Sequence, residues 1–369
     1  MTYADRVDLY EKIEKERGQP LITYITSSRS NAEGIIASDV IPEICQQILK
    51  IPKDIQEIDL LVVSRGGDPI VSWRIISLLR ERFDKLNILI PYEAYSAATL
   101  LALGADEIIM HPFSNLGPVD PQLQGTKNLP GMPGQQDGIR FGAEDLSHFI
   151  DFVRKDVGIS DQEQLERAFE LVCQEIGSIP IGIAKRSSNL ALSLGEKLLR
   201  LHMNDHNKVK AISEALNKSF YHHGYPVGRK EAKDIGLNII DAPEALEKLI
   251  WEVWENMETE MKCREPFQPH TVILQNSKFD QKIDLANSPM FPNAPQSQGI
   301  EQHMVPTVIQ SGTLFSTVPI DYDLYNASVE SKFIGSEFKT KLRISAIRMP
   351  DLNININVTQ ISQGWKTIT

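Results

Sequence analysis

Residues 58–110 read IDLLVVSRGGDPIVSWRIISLLRERFDKLNILIPYEAYSAATLLALGADEIIM, and this stretch decides the fold. IDLLVV (Ile58 to Val63) is an unbroken apolar run ended by SRGGDP, as expected of a parallel strand covered on both faces. Val71, Ile75, Leu78, Leu79 and Phe83 then recur at helical spacing. LNILIP (Leu86 to Pro91) is a second strand-like run, AYSAATLLALGA a turn entering a buried helix, and EIIM (Glu107 to Met110) a further strand. Upstream, LITYIT (Leu21 to Thr26) adds a strand, and Ile35, Ile36, Val40, Ile41, Ile44 and Ile48 add a helix with Pro42 in its first turn. Strand and helix alternate throughout, so the fold class is α/β.

The pattern changes downstream. LQGTKNLPGMPGQQDGIRF (Leu123 to Phe141) is rich in Gly and Pro and has no periodicity, which predicts a surface loop, either a tolerated insertion or a lid over a cleft. From Ala143 to Asn256 the spacing is mostly helical: Leu146, Phe149, Phe152, Val153 and Val157 share one face, and Leu190, Leu192, Leu194, Leu198 and Leu199 another. Pro289, Pro292, Pro295 and Pro306 punctuate a stretch rich in Asn, Gln and Ser that reads as linker. KLRISAIRM and LNININV (Leu352 to Val358) follow, the latter alternating strictly, with Leu352, Ile354, Ile356 and Val358 on one face. The expected organisation is a domain over 1–264, a linker over 265–306 and a small β-rich appendage over 307–369. Charge marks the same boundary, because the last 105 residues hold only 8 of the 38 Lys/Arg and 9 of the 49 Asp/Glu.

Composition narrows the function classes. A net charge of −11 without a basic run disfavours nucleic acid and anionic lipid as partners. Three cysteines (Cys45, Cys173, Cys263) without CxxC spacing suit neither a disulfide scaffold nor a structural zinc site, and they point to a reducing cytoplasm. The charged N-terminal stretch predicts no signal peptide, and no apolar run approaches the length of a membrane anchor. His222 and His223 are adjacent and point apart, so no metal site is expected. No phosphate-binding glycine loop predicts a nucleotide, and no cofactor is expected.

Two backbone features stand at the ends of neighbouring strands. Gly66-Gly67 lets main-chain N–H groups approach a ligand closely. Ser96 enters a helix among Ala94, Ala97 and Ala98, where N–H groups favour developing negative charge. Taken together they suit a nucleophile with an oxyanion hole; taken singly, they read as a turn and an N-cap.

Three separated segments, SRGGDPIVSWRIISLLR, AYSAATLLALGADEIIMHPFSNLGPVDPQ and HGYPVGRKEAKDIGL, together resemble the serine dehydrogenase proteinase family. This family is a soluble branch of the ClpP-class serine peptidases related to signal peptide peptidase A. In the last segment Tyr225, Gly228, Arg229, Ala232, Gly236 and Leu237 match a recurring element, whose plain reading is helix-and-turn packing with Gly236 as a C-cap.

The resemblance implies a ClpP/crotonase-like fold of repeated ββα units in which Ser96 attacks the scissile carbonyl of a peptide or protein substrate. The oxyanion would rest on the N–H groups of Gly67, with Gly66 as fallback, and Ala97. Losing one such donor costs about 3 kcal/mol of barrier. The resemblance also implies a homo-oligomer. It leaves the general base open. The histidine of ClpP peptidases would fall near Val119 or Asp120, where this sequence has none. Relatives of the signal-peptide-peptidase type use a desolvated lysine, for which Lys127, Lys155 and Lys185 are candidates. Lys185 is preferred because it follows the apolar IPIGIA, and Lys155 reads as solvated. His223 is a further candidate, Asp120 an orienting group or a turn cap, and His111 a structural residue at a strand end. Two other readings compete: a non-catalytic ClpP-like protein that binds peptides or scaffolds an assembly, and a crotonase-type enzyme acting on acyl thioesters.

Overall fold

The computed structural model describes residues 2–128, 136–218, 220, 222–275, 315–316, 319–348 and 354–368. Chain order runs α1 (Tyr3–Arg17), β1 (Leu21–Thr26), α2 (Ile41–Lys50), β2 (Glu57–Val63), α3 (Pro69–Arg82), β3 (Lys85–Ile90), β4 (Glu93–Ala94), α4 (Ala97–Leu103), β5 (Glu107–Met110) and β6 (Asn115–Leu116). β7 (Leu123–Asn128), β8 (Gln136–Phe141), α5 (Ala143–Lys155), α6 (Gln162–Ile176), α7 (Ser178–Leu199) and α8 (His206–Lys218) come next. β9 (Val227–Gly228), α9 (Arg229–Ile235), β10 (Ile239–Ile240), α10 (Glu244–Glu260) and α11 (Pro269–Leu274) precede β11 (Phe315–Ser316), β12 (Ile320–Glu330), β13 (Gly335–Arg348) and β14 (Ile354–Ile368).

The apolar runs form the strands expected of them. β10, β5, β3, β2 and β1 lie parallel in that order, and their side chains are buried because α2, α3 and α4 cover one face and α1 and α10 the other. After β2 and β3 the chain steps out of this sheet before entering a helix. Ser64 bridges Ala94, and β4, β6 and β9 form a second, three-stranded sheet. This strand, short strand, helix repeat is the ββα unit of the expected fold. Pro42 sits in the first turn of α2, and Gly236 caps α9 with φ +108°.

Two details of this part depart from the sequence reading. Leu123–Phe141 contains a hairpin, β7 with β8, where a loop without structure was expected; residues 129–135 lie outside the described residues. Backbone pairing across the hairpin leaves no periodic side-chain signal in so Gly-rich a stretch. Of the anticipated apolar face only Val153 on α5 is buried, whereas Phe149 and Phe152 on α5 and Val157 beyond its end are exposed. α5 and α6 pack on one another and on α7, whose Leu194, Leu198 and Leu199 join the core with α3 and α4, and neither α5 nor α6 reaches the central sheet to bury its apolar face fully.

The C-terminal strands form the expected β-rich appendage, and they continue the central sheet. β12 runs antiparallel to β1, with Thr23 opposite Glu330 and Thr26 opposite Ala327, and β13, β14 and β11 extend it. Without β12 the fully buried β1 would be an open edge. The join is reinforced by Glu330, whose carboxylate accepts from Arg6 Nε (2.8 Å) and NH2 (2.6 Å), Tyr10 Oη (2.6 Å) and Ser328 Oγ (2.8 Å) with all solvent excluded. Of the stretch read as linker, 265–275 is folded: Phe267 N–H donates to Ser30 O (2.8 Å), and Phe267 and Ile273 pack with Leu342 and Ile344. Residues 276–306, with the prolines, lie outside the described residues, as does Leu352 of LNININV. Within β14 Ile356 packs inward, whereas Val358 is exposed. Among the described residues no helix is long and apolar enough to cross a membrane.

Candidate active site

Ser96 lies where β4 turns into α4, at φ +54° and ψ −116°. A left-handed φ is costly for a residue with a Cβ, and it throws the serine side chain out of the strand-to-helix turn. The strain is held by neighbours. Thr99 Oγ1 donates to Ala94 O (2.7 Å) and Gly117 O (2.8 Å), and Ser72 Oγ to Ala97 O (2.7 Å). Ser96 is half-buried and its Oγ does not cap α4, nor does it make a hydrogen bond among the described residues. Ser96 thus occupies the N-cap position of α4 without its side chain capping the helix.

The two glycines differ in role. Gly66 is buried at φ +110°, and a Cβ there would sit 2.8 Å from Ser96 Cβ and 3.2 Å from Ala97 N, so the turn needs the absent side chain. Its N–H donates to Ser64 Oγ (3.1 Å), which also accepts from Thr26 Oγ1 (2.8 Å). Gly67 is exposed, and its φ of +153° places it flat against Ile36: Ile36 N–H donates to Gly66 O (2.9 Å) and Asp68 N–H to Ile36 O (2.8 Å). Among the described residues no group accepts from the N–H of Gly67 or of Ala97. The former stands at the end of β2 and the latter is the first residue of α4, where the helix dipole adds positive potential.

The base candidates separate clearly. Lys185 is exposed on α7, one residue beyond the fully buried Ala184, and makes no ion pair among the described residues. The expected desolvation is thus absent within the chain: IPIGIA is amphipathic helix, and Lys185 falls on its wet side. Lys155 is exposed and paired with Asp151 (2.7 Å). Lys127 lies on β7, and its side chain is outside the described residues. His111 stacks on Trp251 (ring centroids 4.7 Å apart), and burial holds its pKa below the ordinary imidazole value, a structural placement.

His223 and Asp120, named separately from the sequence, are partners: His223 Nδ1 lies 2.9 Å from Asp120 Oδ1, both partly buried. The register of the small sheet directs them toward the same sheet end as the serine. Ala94 pairs with Leu116 in parallel and Leu116 with Val227 in antiparallel register. Moving forward past Ala94 to Ser96, forward past Leu116 to Asp120 and backward from Val227 to His223 leads to the same end of the sheet. Sequence reasoning missed this pairing because its signal is the register of two-residue strands.

Residues 2–132, which include Gly66, Gly67, Ser96, Ala97 and Asp120, match the family model described as ClpP-like SDH-type serine proteinase, so the resemblance read from the motifs holds. The chain is also similar to two proteins of Methanocaldococcus jannaschii, both described as uncharacterized. With MJ0137 it shares 27% identity over 254 residues, 66% of this chain and 77% of the relative; with MJ1495, 28% over 240 residues, 63% and 71%. Among solved structures it is similar to 1510-N, a membrane-bound stomatin-specific protease in a serine-to-alanine mutant form, at 15% identity and TM-score 0.36, covering 59% of this chain and 80% of that one. Similarity to ClpP1 from Listeria monocytogenes is at 13% identity and TM-score 0.30, covering 64% and 99%.

Proposed function

We propose that this protein is a serine peptidase that cleaves peptide bonds through an acyl-enzyme on Ser96. The observation that carries the reading is the strained Ser96 turn, with an unengaged hydroxyl beside two unengaged N–H groups. Ser96 Oγ attacks the scissile carbonyl carbon as the base takes its proton, and the resulting oxyanion accepts from Gly67 and Ala97 N–H. His223 is the base, its Nδ1 fixed by the Asp120 carboxylate, which also stabilises the imidazolium. Collapse breaks the C–N bond, the leaving amine takes the proton from His223, and water releases the acyl group by the same route. This assigns to His223 and Asp120 the role that the sequence preference gave to Lys185. The three free cysteines suit a cytoplasmic setting.

A fluorophosphonate probe tests the assignment. Labelling is expected in the wild-type protein, absent in Ser96→Ala, slowed about 10²-fold or more in His223→Ala and unchanged in Lys185→Ala. An unlabelled wild type, or equal labelling of Ser96→Ala, would sink the reading and leave the ClpP-like peptide-binding or scaffold alternative.

A further inference from the structure

A cavity of about 650 Å³ opens where the loop after β1, the turn following α10, α11 and β12 meet, so its walls come from both the α/β core and the C-terminal strands. That volume falls in the range of small-molecule sites. Its charge runs against that of the chain. Arg29, Lys262 and Arg264 line it against one carboxylate, the exposed Glu265, in a protein of net charge −11.

Arg29 is the exceptional charge. Two arginines are buried among the described residues, Arg6 at 0% and Arg29 at 6% exposure, and their surroundings differ. Arg6 meets the carboxylates of Glu330 and Glu260. Arg29 meets only neutral groups: Nε donates to Glu265 O (2.7 Å) and NH1 to Tyr322 Oη (3.2 Å), and the guanidinium lies over the Phe267 and Tyr322 rings, 5.6 and 5.9 Å from their centroids. Among the described residues it makes no ion pair and donates no hydrogen bond from NH2. A guanidinium taken out of water is ordinarily matched by an acid, because neutral acceptors replace its hydration without balancing its charge. One that lines a cavity without an acid calls for an anion brought by a ligand. Lys262 adds a second unmatched charge: its Nζ stands 5.9 Å from the same Tyr322 ring and makes no ion pair among the described residues. Arg264 is already paired with Glu258 (2.7 Å) and contributes less. The planar fork of Arg29 suits the paired oxygens of a carboxylate or phosphate, whereas an ammonium would meet two unmatched cations.

We propose that this cavity binds a small organic molecule through a carboxylate or phosphate group held by Arg29 and Lys262. Full-length protein is titrated calorimetrically with inorganic phosphate, succinate and ethylammonium, with sodium chloride at matched ionic strength as the control. At least one of the two oxyanions is expected to bind with a Kd of about 1 mM or below and to raise Tm, because it joins the core to the C-terminal strands, while ethylammonium and chloride do neither. Binding of phosphate alone identifies a phosphoryl ligand, and of succinate alone a carboxylate. Arg29→Gln should weaken binding about 10-fold or more. Arg29 also ties Glu265 O and Tyr322 Oη together, so the exposed Lys262 supplies a second variant: Lys262→Gln should fold as the wild type does and bind several-fold more weakly. Oxyanions no better than chloride, ethylammonium binding as tightly as they do, or wild-type affinity in Lys262→Gln would overturn the proposal. No step depends on Ser96, so fluorophosphonate labelling and anion binding are kept or lost separately.

Discussion

Ser96 and Gly66 are one unit at the scale of single residues. The left-handed turn of Ser96 is paid for by the close approach of Gly66, which has no Cβ to collide with the serine or with Ala97 N. Gly66→Ala is expected to displace the Ser96 side chain by a fraction of an ångström to an ångström and, on the proposed peptidase reading, to lower kcat/KM about 10²-fold, with the secondary structure by circular dichroism unchanged. A variant retaining full activity would show that Gly66 does not position Ser96. At this scale the sequence was readable: both glycines and the serine stand out at strand ends. Which glycine N–H is already occupied was not, because Ser64 Oγ competes for Gly66 through a side-chain contact.

Elements meet the site through their ends. The C-terminus of α4 is tied to α7 by His202, whose Nε2 lies 2.9 Å from Leu103 O. Burial holds the His202 pKa below the ordinary 6.5, with the Leu103 hydrogen bond opposing in part. The folded state thus binds this proton less readily than the unfolded state. Its stabilising contribution is full above about pH 6.5 and is lost as pH falls through the window between the unfolded and the lowered folded value. Melting temperature followed from pH 7.5 to 5 should fall less steeply in His202→Gln than in the wild type; parallel curves would remove His202 from the linkage. Element types were legible from the apolar runs and helical spacing, whereas the β7–β8 hairpin was not, since LQGTKN and QDGIRF carry no alternating apolar pattern.

The whole molecule leaves apolar surface uncovered. Phe152 on α5 (55% exposed), Leu171 on α6 (61%) and Ile179 on α7 (76%) project from helices that pack on one another, and monomeric proteins seldom expose so many large apolar groups in one region. Light scattering should return a multiple of the 41.5 kDa chain mass, and Phe152→Asp should lower it. A wild-type mass of one chain would reject a homo-oligomer built on this face. Self-association would also explain why helical faces legible in the sequence are not buried within one chain.

The sequence alone determined the α/β class, the parallel strands, the strand-end positions of Gly66, Gly67 and Ser96 and the β-rich C-terminal part, because each is written in local periodicity or in a residue type that only one backbone conformation suits. The tertiary structure decided that β12 completes the sheet against β1 and that Lys185 is solvated. It also decided that His223, 103 residues from Asp120 along the chain, stands beside it. Each of these depends on strand register or on which side of a helix meets the core, and neither is encoded in the spacing of residues along one segment.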